Sequence, residues 1–523
     1  MKKIYGYAAL FAAMSLASCS SDNEPNVATG EMQTTYLAVN IANPDDTRAD
    51  GNVREDLDEN GASTASFILF DASGARVGGV YNVNLSGWND SDESNVDRET
   101  TVLAVEASEE TKPASIIMVL NADATVQGLL GQCTSPAAAY QKLDNYVGAD
   151  NAYVQGGKFL MSNAVYNDGT KNVYAQPVEG TYTTKEDALA HPTDIYVERI
   201  VARVDTKKAD KFENNGASVT VNGVERSLTI DIKGVEVANI AQQSTLLKSI
   251  EGVTNPFSGW NVAGTHQSHW AAFTEISGYD NKSYDKITDV LGATPNYFYV
   301  QENTTANEND YTSVLVTAQL MNGNEPAKLV RILNNKNYYF EDDAATTIMG
   351  YLTLTYGIKK DNKVTSIAIT DDNKANFVWE SDKTNGYEGC LQIADAFTVD
   401  GELVKRNGEN WEATTLADIN TTLKEYKVWR WNDGMCYYYS AIKNPDANAP
   451  VGVVRNHIYE VLINSIMGLG VPVFDPNEVI IPQTPPNLTP DEEWYLGAKI
   501  NILKWTKYTQ PVDFGQGGNN YTN

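Results

Sequence analysis

Basic residues, histidines and cysteines are all scarce in this sequence of 523 residues. Only 39 lysines and arginines stand against 68 aspartates and glutamates, so the formal net charge is −29. A nucleic-acid partner requires a basic surface that displaces counterions, and this charge balance argues against one. The hydrophobic fraction of 42% is nevertheless ordinary for a globular protein, and the length allows two or three domains with their own cores.

Four cysteines in a chain of this length do not make a disulfide framework. Three of them, Cys133, Cys390 and Cys436, are far apart in the sequence. Cys436 lies among apolar and aromatic residues in GMCYYYSAI, and this setting predicts a buried free thiol.

Patterns of catalytic and metal-binding residues are also missing. His266 and His269 are close together in HQSH, but no other histidine or cysteine is near enough to complete a zinc site. DLDENG, at 56–61, matches the opening of an EF-hand loop, yet Phe67 stands where the bidentate glutamate is required. Nucleophile-elbow, P-loop and dinucleotide-binding motifs are absent. The sequence therefore predicts a protein that is not an enzyme and that has no metal and no cofactor.

The N-terminus has the order of a bacterial secretory signal. Two lysines precede an apolar stretch at 4–17, which is too short to span a membrane with normal flanks. The stretch ends in LASC, which resembles the lipobox of bacterial lipoproteins, where Cys19 would carry the lipid, palmitate included. An ordinary signal peptide that contains a cysteine is the alternative. We expect residues 1–18 to be a signal peptide and the lipid on Cys19 to anchor the chain to a membrane surface.

Short apolar runs separated by turn residues predict an all-β fold. In TTYLAVNIA, at 34–42, Leu37, Val39 and Ile41 alternate with other residues, which is typical of a strand with one buried face. The acidic segment that follows, at 43–61, is predicted to be an exposed loop.

Other segments add strands, a hairpin and a few helices. Asn222-Gly223 lies between two alternating runs and predicts a tight hairpin turn. GYLTLTYGI, at 350–358, has the composition of a strand, whereas 134–146 and 415–426 have that of short helices.

The end of the chain contains a strand pattern set apart by prolines. AKINILKWTKY, at 498–508, follows a proline-rich run from Pro472 to Pro490, which we interpret as a semi-rigid spacer. Alternation breaks between Ile502 and Leu503, so we expect a bulge or a register shift there. The apolar residues of this predicted strand are Ile500, Ile502, Leu503, Trp505 and Tyr508.

Arginines alternate with valines in YVERIVARV, at 196–204. Arg199 and Arg203 share a face with apolar residues of a predicted inner strand. We expect them to bind carboxylates or loop carbonyls and to have a structural role.

Four features together resemble the type V pilins, or fimbrillins, of Bacteroidia, and especially the major subunit of the minor (short) fimbria. They are the lipobox, YVERIVARV, VVRNHIYEVLINSIMGLG at 453–470 and INILKWTKY at 500–508. The most specific element is the Arg-Asn-x-x-Tyr pattern, formed here by Arg455, Asn456 and Tyr459.

The resemblance implies two transthyretin-like β-sandwich domains in tandem, a few short helices and a C-terminal donor strand. On this basis we expect a tether and first strand at 19–48, an N-terminal domain at 49–205, a C-terminal domain at 206–481 and a linker with the donor strand at 482–523.

The resemblance also implies an assembly pathway. A lipidated precursor on the outer membrane would be cut by a trypsin-like protease after Arg48, or less favourably after Arg54, so that the mature chain begins at Ala49. Loss of the first strand, with Leu37, Val39 and Ile41, would open a groove for the C-terminal strand of another copy. Because the two contact surfaces differ, repetition would build a head-to-tail filament, a fimbrium with a role in adhesion.

A different class of protein remains open, namely a surface glycan-binding lipoprotein with tandem β-sandwich domains. Such a protein would keep its lipid and would have no use for cleavage at Arg48 or for a detached terminal strand. The N-terminal residue of the mature protein distinguishes the two hypotheses.

Overall fold

A computed structural model describes residues 32–42, 58–86, 88, 98–139, 153–167, 172–248, 266–267, 278–287, 289–292, 296–382, 387–442, 452–482 and 495–504. The first twelve strands are Gln33–Ala42 (β1), Thr64–Phe70 (β2), Arg76–Asn84 (β3), Arg98–Ala107 (β4), Ser115–Leu120 (β5), Val154–Gln155 (β6), Lys158–Phe159 (β7), Met161–Asn163 (β8), Val165–Asn167 (β9), Asn172–Val173 (β10), Gln176–Pro177 (β11) and Thr193–Arg199 (β12). The next twelve are Val201–Asn214 (β13), Ala217–Val221 (β14), Val224–Ala238 (β15), Ile240–Ala241 (β16), His266–Gln267 (β17), Tyr279–Asp280 (β18), Lys282–Ser283 (β19), Asn296–Gln301 (β20), Ser313–Asn322 (β21), Glu325–Pro326 (β22), Leu329–Ile332 (β23) and Asn337–Phe340 (β24). The remaining strands are Tyr356–Lys360 (β25), Lys363–Thr365 (β26), Phe377–Ser381 (β27), Glu388–Ile393 (β28), Glu402–Asn407 (β29), Asn410–Ala413 (β30), Val428–Trp431 (β31), Met435–Ala441 (β32), His457–Met467 (β33), Val471–Pro472 (β34), Val479–Ile480 (β35) and Tyr495–Lys504 (β36).

Helices are short and few in the described ranges. The α-helices are Ala124–Gln132 (α1), Lys185–Ala190 (α2), Glu341–Leu352 (α3) and Leu416–Leu423 (α4). Single 3₁₀ turns lie at Ala137–Ala139, Tyr284–Lys286, Glu308–Asp310, Lys374–Asn376 and Asn432–Gly434. No helix in this part of the chain is long and apolar enough to cross a membrane.

The N-terminal sheet has the strand order β3-β2-β5-β8-β12-β1-β4, and β11 pairs with β5. Strand β12 joins its two halves. From Thr193 to Tyr196 it pairs in parallel with β1, and from Val197 to Arg199 it pairs antiparallel with β8. Apolar side chains from both halves meet in one hydrophobic cluster.

The C-terminal part forms a second sandwich. A sheet of order β20-β13-β33-β36 packs against a longer sheet of order β27-β28-β31-β23-β24-β14-β15-β21-β32-β34, to which β22 is added at β21. Both sheets contribute to a second hydrophobic cluster, for example through Val461 of β33 and Val316 of β21. A third cluster lies under α3 and α4. The predicted fold class, all-β with β-sandwich domains in tandem, is confirmed.

The predicted inner strand YVERIVARV is in fact two strands. Ile200 interrupts it, so that Arg199 ends β12 in the first sheet whereas Arg203 lies in β13 of the second. The first hydrophobic cluster draws nearly all its residues from before Ala202, and the second draws its residues from Ala202 onward. We propose that the predicted division near residue 205 lies at this crossing.

Local turn and capping signals place several elements correctly. Asn222 and Gly223 take positive φ values of 51° and 78° in the β14–β15 hairpin, as a tight hairpin turn requires. Helix α4 lies within the predicted 415–426, and Thr415 and Asp418 form a capping box at its start.

Two other predictions of local structure were wrong. The predicted strand 350–358 begins inside α3, because Ala344, Ile348 and Leu352 recur at helical spacing and all three are buried. Within 134–146 the described residues form only a 3₁₀ turn. The α-helix of this region lies earlier, in α1, where the Asp123 side chain accepts a hydrogen bond from the Val126 amide and caps the first turn.

Candidate strand-exchange site

Strand β1 lies inside the N-terminal sheet and not at its edge. It pairs antiparallel with β4 along its full length, from Gln33 opposite Ala107 to Ala42 opposite Arg98. Its other edge pairs in parallel with β12 from Val39 to Ala42. Loss of β1 would therefore leave a slot with strand edges on both sides, each with unpaired backbone groups.

The inner face of β1 is part of the core. Leu37, Val39 and Ile41 are completely buried and belong to the same hydrophobic cluster as Phe67 and Leu103. Removing three such side chains from water contributes a gross stabilisation of about 5–9 kcal/mol, at roughly 1.5–3 kcal/mol each. The strand is thus a large part of this core.

The outer face of β1 is held by polar contacts. Asn40 Nδ2 donates to Asp194 Oδ1 at 2.7 Å, and Thr100 Oγ1 donates to Asn40 Oδ1 at 3.1 Å. Tyr36 exchanges two backbone hydrogen bonds with Tyr182, of 2.7 and 2.8 Å. These contacts fix the register of β1 against both neighbours.

The proposed lipidation and cleavage residues lie outside the described part of the chain. Cys19, Arg48, Ala49 and Arg54 all belong to this group, and their predicted roles stay predictions. The description resumes at Asp58, which forms an ion pair with Lys158 at 2.9 Å.

Glu59 contradicts the prediction that the whole segment 43–61 is a solvated loop. Its side chain is buried, and its carboxylate accepts hydrogen bonds from Arg203 Nη1 at 2.9 Å and from the Tyr299 hydroxyl. Arg203 also forms a bidentate pair with Asp205, with distances of 2.8 and 2.9 Å. Sequence reasoning missed Glu59, since an acidic residue between turn formers gives no sign of a buried partner.

Arg199 connects this same segment to the second sandwich. Arg199 Nε donates to the Glu59 carbonyl at 2.7 Å, and Nη1 donates to Asn456 Oδ1 at 3.0 Å. Its Nη2 donates to Asn60 Oδ1, so Asn60 of the EF-hand-like motif binds a guanidinium. Asn456 has a φ of 58°, and its amide donates to the Val201 carbonyl at 2.7 Å.

Arg455 and Tyr459 complete the family pattern on the other side of the junction. Arg455 is fully buried and pairs with Glu302 at 3.3 Å. Its Nη2 donates to the carbonyl and the hydroxyl of Thr245, each at 2.9 Å. The Tyr459 hydroxyl accepts the Val454 amide at 2.8 Å, and burial raises the pKa of this phenol. The structure gives Arg199, Arg203 and Arg455 carboxylate and carbonyl partners, the kinds expected for such arginines.

Two carboxyl groups at this junction have raised pKa values. Burial raises the pKa of Asp205 to about 6, because desolvation outweighs the attraction of Arg203. Burial likewise raises the pKa of Glu198, against the opposing effect of Lys248 at 2.8 Å. Ionising Asp205 and Glu198 at the junction therefore costs free energy, and their charged forms depend on the partners Arg203 and Lys248.

Strand β36 pairs antiparallel with β33 of the same chain. The register runs from Tyr495 opposite Met467 to Lys504 opposite His457, so that β36 covers an edge of the four-stranded sheet. It places Ile500 opposite Val461 and Ile502 opposite Tyr459, whereas Leu503 lies opposite Ile458. Trp505 and Tyr508 lie outside the described residues.

The predicted bulge at Ile502-Leu503 is wrong. Pairing is regular there, and the register shifts between Ile463 and Ser465 on β33, the partner strand. The mixed polarity of 502–504 reflects the sequence of the strand and not an extra unpaired residue.

The proline-rich run is only partly a spacer. Pro472 lies in β34, which pairs with β32, and β35 pairs with β19. Phe474, just after β34, and Ile480, in β35, are both buried. The first half of the run, up to residue 482, is therefore packed on the C-terminal sandwich, and the rest of the run lies outside the described residues.

The described residues lack a metal-binding cluster, a disulfide and an EF-hand ligand set. They contain no group of three or more histidine, cysteine, aspartate or glutamate side chains that could hold a metal ion. Cys133, Cys390 and Cys436 are buried free thiols, which confirms the prediction for Cys436. Phe67, at the position of the missing EF-hand glutamate, is buried in β2.

One family model matches the chain, near its C-terminus. Residues 430–511 match the model of the family described as major fimbrial subunit protein type IV, fimbrillin, C-terminal. This range contains the end of β31 and all of β32 to β36, including β33 and the terminal strand. No curated protein matches the chain.

Solved structures with some similarity to the chain come from species of Bacteroides, Parabacteroides and Porphyromonas. A candidate cell adhesion protein from Bacteroides eggerthii has 14% identity and a TM-score of 0.38, over 94% of this chain and 100% of the other. One from Parabacteroides distasonis has 14% identity and a TM-score of 0.37, over 91% and 98%. The C-terminally truncated tip fimbrial protein of Porphyromonas gingivalis has 14% identity and a TM-score of 0.32, over 90% and 100%. TM-scores this low support no functional conclusion.

The family match confirms the identification made from sequence. It falls on the segment that holds the Arg455-Asn456-x-x-Tyr459 pattern and the terminal strand, two of the features on which the resemblance depends. These residues match the fimbrillin family of fimbrial subunits, which fits the resemblance found in the sequence.

Proposed function

We propose that this protein is a structural subunit of a type V fimbria that polymerises by strand exchange. In this proposal the precursor reaches the outer membrane as a lipoprotein on Cys19, and a trypsin-like protease cuts after Arg48. Strand β1 then leaves, and the C-terminal strand of another copy enters the slot between β4 and β12. The product is a head-to-tail filament on the cell surface.

The observation that carries the proposal is the double-sided pairing of β1. Strand β1, which the proposed cleavage separates from the chain, occupies an interior position in the sheet. Its removal would uncover a row of buried apolar side chains and two backbone edges. An incoming strand can satisfy both at once, since ladder hydrogen bonds provide affinity and alternating side chains provide specificity. A peripheral first strand would leave a weaker acceptor.

The two strands have matching sequence patterns. The inward positions of β1 are Thr35, Leu37, Val39 and Ile41, and the corresponding alternate positions of β36 are Leu496, Ala498, Ile500 and Ile502. The side chains in both sets are small to medium-sized and uncharged. The strand β36 can thus offer the slot a row of side chains similar to the one that β1 removes.

Cis pairing of β36 supports a resting state for the precursor. While β1 fills its slot, β36 completes the edge of its own C-terminal sheet. Exchange then replaces one ladder by another, and the net driving force comes from refilling the emptied core.

A reversible cross-link tests the proposal. The side chains of Asn40 and Thr100 are in contact across the β1–β4 ladder, so Asn40→Cys with Thr100→Cys can form a disulfide. After trypsin cuts the loop, the oxidised double variant should keep β1 and stay monomeric. Reduction should release β1 and start polymerisation, observed as high-mass ladders on mild-detergent gels.

Controls separate the steps. Each single cysteine variant should polymerise after cleavage under oxidising conditions, as should the unmodified protein. Polymerisation of the oxidised, cleaved double variant would refute exchange at the β1 slot. Failure of the reduced, cleaved protein to polymerise at high concentration would refute the assembly model as a whole.

A subunit that carries its own terminal strand fits the shaft of the fimbria. The protein would then have other copies and related pilins as partners and would act without catalysis or a cofactor. The competing hypothesis of a monomeric glycan-binding lipoprotein predicts a mature N-terminus at Cys19, whereas strand exchange predicts Ala49. N-terminal sequencing of protein released from cells distinguishes them.

A further inference from the structure

A cleft with a volume of about 290 Å³ opens at the far end of the long C-terminal sheet. Its walls come from the edge strand β27, the end of β31 and the turn after β34. The residues that matter are Trp379, Arg430, Asn432, Phe474, Asp475 and Asn477. None of these residues belongs to β1, to the strands beside it or to β36, so the cleft is separate from the assembly surfaces.

The floor of the cleft is closely packed. The Phe474 ring packs directly on the backbone of Gly389, where a Cβ would lie 2.3 Å from Phe474 Cζ. The Arg430 guanidinium lies 5.6 Å from the centre of this ring and also pairs with Glu341 at 2.7 Å. Because Gly389 has no side chain, the Phe474 ring can lie against its backbone, with the Arg430 guanidinium beside the ring under the opening.

Trp379 provides a partly exposed aromatic surface at the wall. It lies on β27 opposite Leu391 and packs in part against the third hydrophobic cluster. Its neighbour along the strand, Ser381, also lines the cleft and donates to Glu478. An anchored indole of this kind offers a flat apolar face with little loss of side-chain entropy on binding.

The polar groups of the rim have unused hydrogen-bonding capacity. The Asn432 side chain makes no hydrogen bond to any described residue, which leaves one acceptor and two donor hydrogens. Asp475 Oδ1 accepts the amide and the side chain of Asn477, at 2.9 and 3.0 Å, and this fixes the turn. Asp475 Oδ2 has no partner in the described ranges.

The charge of the lining disfavours an anionic ligand. Arg430 and Asp475 have opposite charges, and Glu341 already neutralises Arg430. A guanidinium with a partner of its own has little attraction left for an anion. The protein as a whole has a net charge of −29, which further disfavours anionic ligands.

We propose that this cleft binds a neutral saccharide. A pyranose ring has an apolar face of C–H groups that fits against the Trp379 indole, and hydroxyls that can exchange hydrogen bonds with Asn432 and Asp475. The cleft is large enough for one or two sugar units and is largely preformed. The site goes beyond strand exchange, and it gives the shaft itself a repeated lateral contact for neutral glycans.

Binding to the uncleaved monomer tests the site without any need for assembly. Saturation-transfer NMR and titration calorimetry with glucose, galactose, mannose, N-acetylglucosamine and their disaccharides should reveal binding of at least one neutral sugar. Sialyllactose and glucosamine serve as the anionic and cationic probes and should bind at least tenfold more weakly than that sugar.

Matched variants locate the contact. Trp379→Ala should weaken binding at least tenfold, and Trp379→Tyr should keep most of it because an aromatic face remains. Asn432→Ala should weaken binding severalfold without removing the indole. Trp411→Ala, which truncates a partly exposed tryptophan on β30, should leave affinity unchanged.

Three results would overturn the proposal. They are no binding of any neutral sugar, equal affinity of Trp379→Ala and unmodified protein, and preference for a charged probe. Circular dichroism of each variant verifies that the fold is retained, and Asn432→Ala still tests the site if Trp379→Ala does not fold. Loss of sugar binding with normal polymerisation would separate this site from strand exchange.

Discussion

The Glu198 carboxylate and the Lys248 ammonium lie 2.8 Å apart, and neither side chain is exposed to solvent. Glu198 belongs to β12 of the first sandwich, whereas Lys248 lies in the segment after β16, beyond the crossing at Ile200. Two charges have thus been taken out of water where the two halves of the chain meet. Such a pair is sensitive to the loss of one partner.

Lys248→Met should destabilise the protein by about 3–5 kcal/mol, because it leaves Glu198 buried without a counter-charge. The double variant Lys248→Met with Glu198→Gln should recover most of this loss, since no buried charge remains. Urea denaturation measures both effects. Lys360→Met is the matched control: Lys360 pairs with Asp400 on the surface, so the loss should stay within about 1 kcal/mol.

Asp205 should make stability depend on pH in a predictable direction. Its pKa is about 6 in the folded protein and 3.8 as the ordinary value, so the folded state holds the proton more tightly. The contribution of Asp205 is therefore most favourable below pH 3.8 and is lost as the pH rises towards 6. From pH 4 to pH 7 this amounts to about 2 kcal/mol, at roughly 1.4 kcal/mol per unit.

Asp205→Asn isolates this contribution, because the amide does not titrate. The unfolding free energy of the unmodified protein, minus that of Asp205→Asn, should fall by about 2 kcal/mol between pH 4 and pH 7. Denaturation curves at a series of pH values give this difference. A difference that stays constant, or rises with pH, would contradict the raised pKa.

Leu37→Ala should affect the precursor alone. In the precursor the truncation leaves a cavity in the N-terminal core, with an expected loss of about 2–5 kcal/mol. After cleavage and exchange, residue 37 is no longer part of the subunit, so variant and unmodified filaments should have equal stability. Thermal unfolding before and after trypsin treatment tests this, with Thr34→Ala, at an exposed position on β1, as the control.

Unequal filament stability would mean that Leu37 remains bound after cleavage. That result would place β1 in the mature fimbria and would conflict with exchange at its slot.

A second cross-link should keep the terminal strand β36 paired with β33 of its own chain. Glu460 on β33 lies opposite Asn501 on β36, so Glu460→Cys with Asn501→Cys can connect the two strands. The oxidised variant, once cleaved, should accept a strand from other copies but donate none, and should therefore cap growing filaments. Adding it at one part in ten to unmodified protein should shorten the filaments seen by electron microscopy, and reduction should restore their length.

Non-adjacent positions supply the comparison. Glu460→Cys with Leu496→Cys cannot form this bond, since Leu496 lies opposite Ile466, and should not shorten filaments. If the oxidised Glu460 and Asn501 variant lengthens filaments normally, β36 is not the donor strand.

Much of the fold could be predicted from local sequence. The alternation of Leu37, Val39 and Ile41 gave a strand with one buried face, and that face is completely buried. The Asn222-Gly223 turn was equally predictable, because the positive φ values of a tight hairpin turn select particular residues. The strand predicted at 350–358 overlaps the end of helix α3. This error arose because apolar residues at helical spacing are followed there by threonines and a tyrosine, which favour strands.

Sequence by itself determined the strand periods, the free buried thiol of Cys436 and the family-specific segment at 453–470, since each depends on residues close together in the chain. Tertiary structure decided which partners the buried charges take. Arg199 contacts Glu59 across 140 positions and Asn456 across 257, and no local pattern encodes such a pairing. It also decided that β1 lies between two strands and that β36 lies on β33. Backbone edges are alike in chemistry, so only the placement of whole strands determines which edge each one fills.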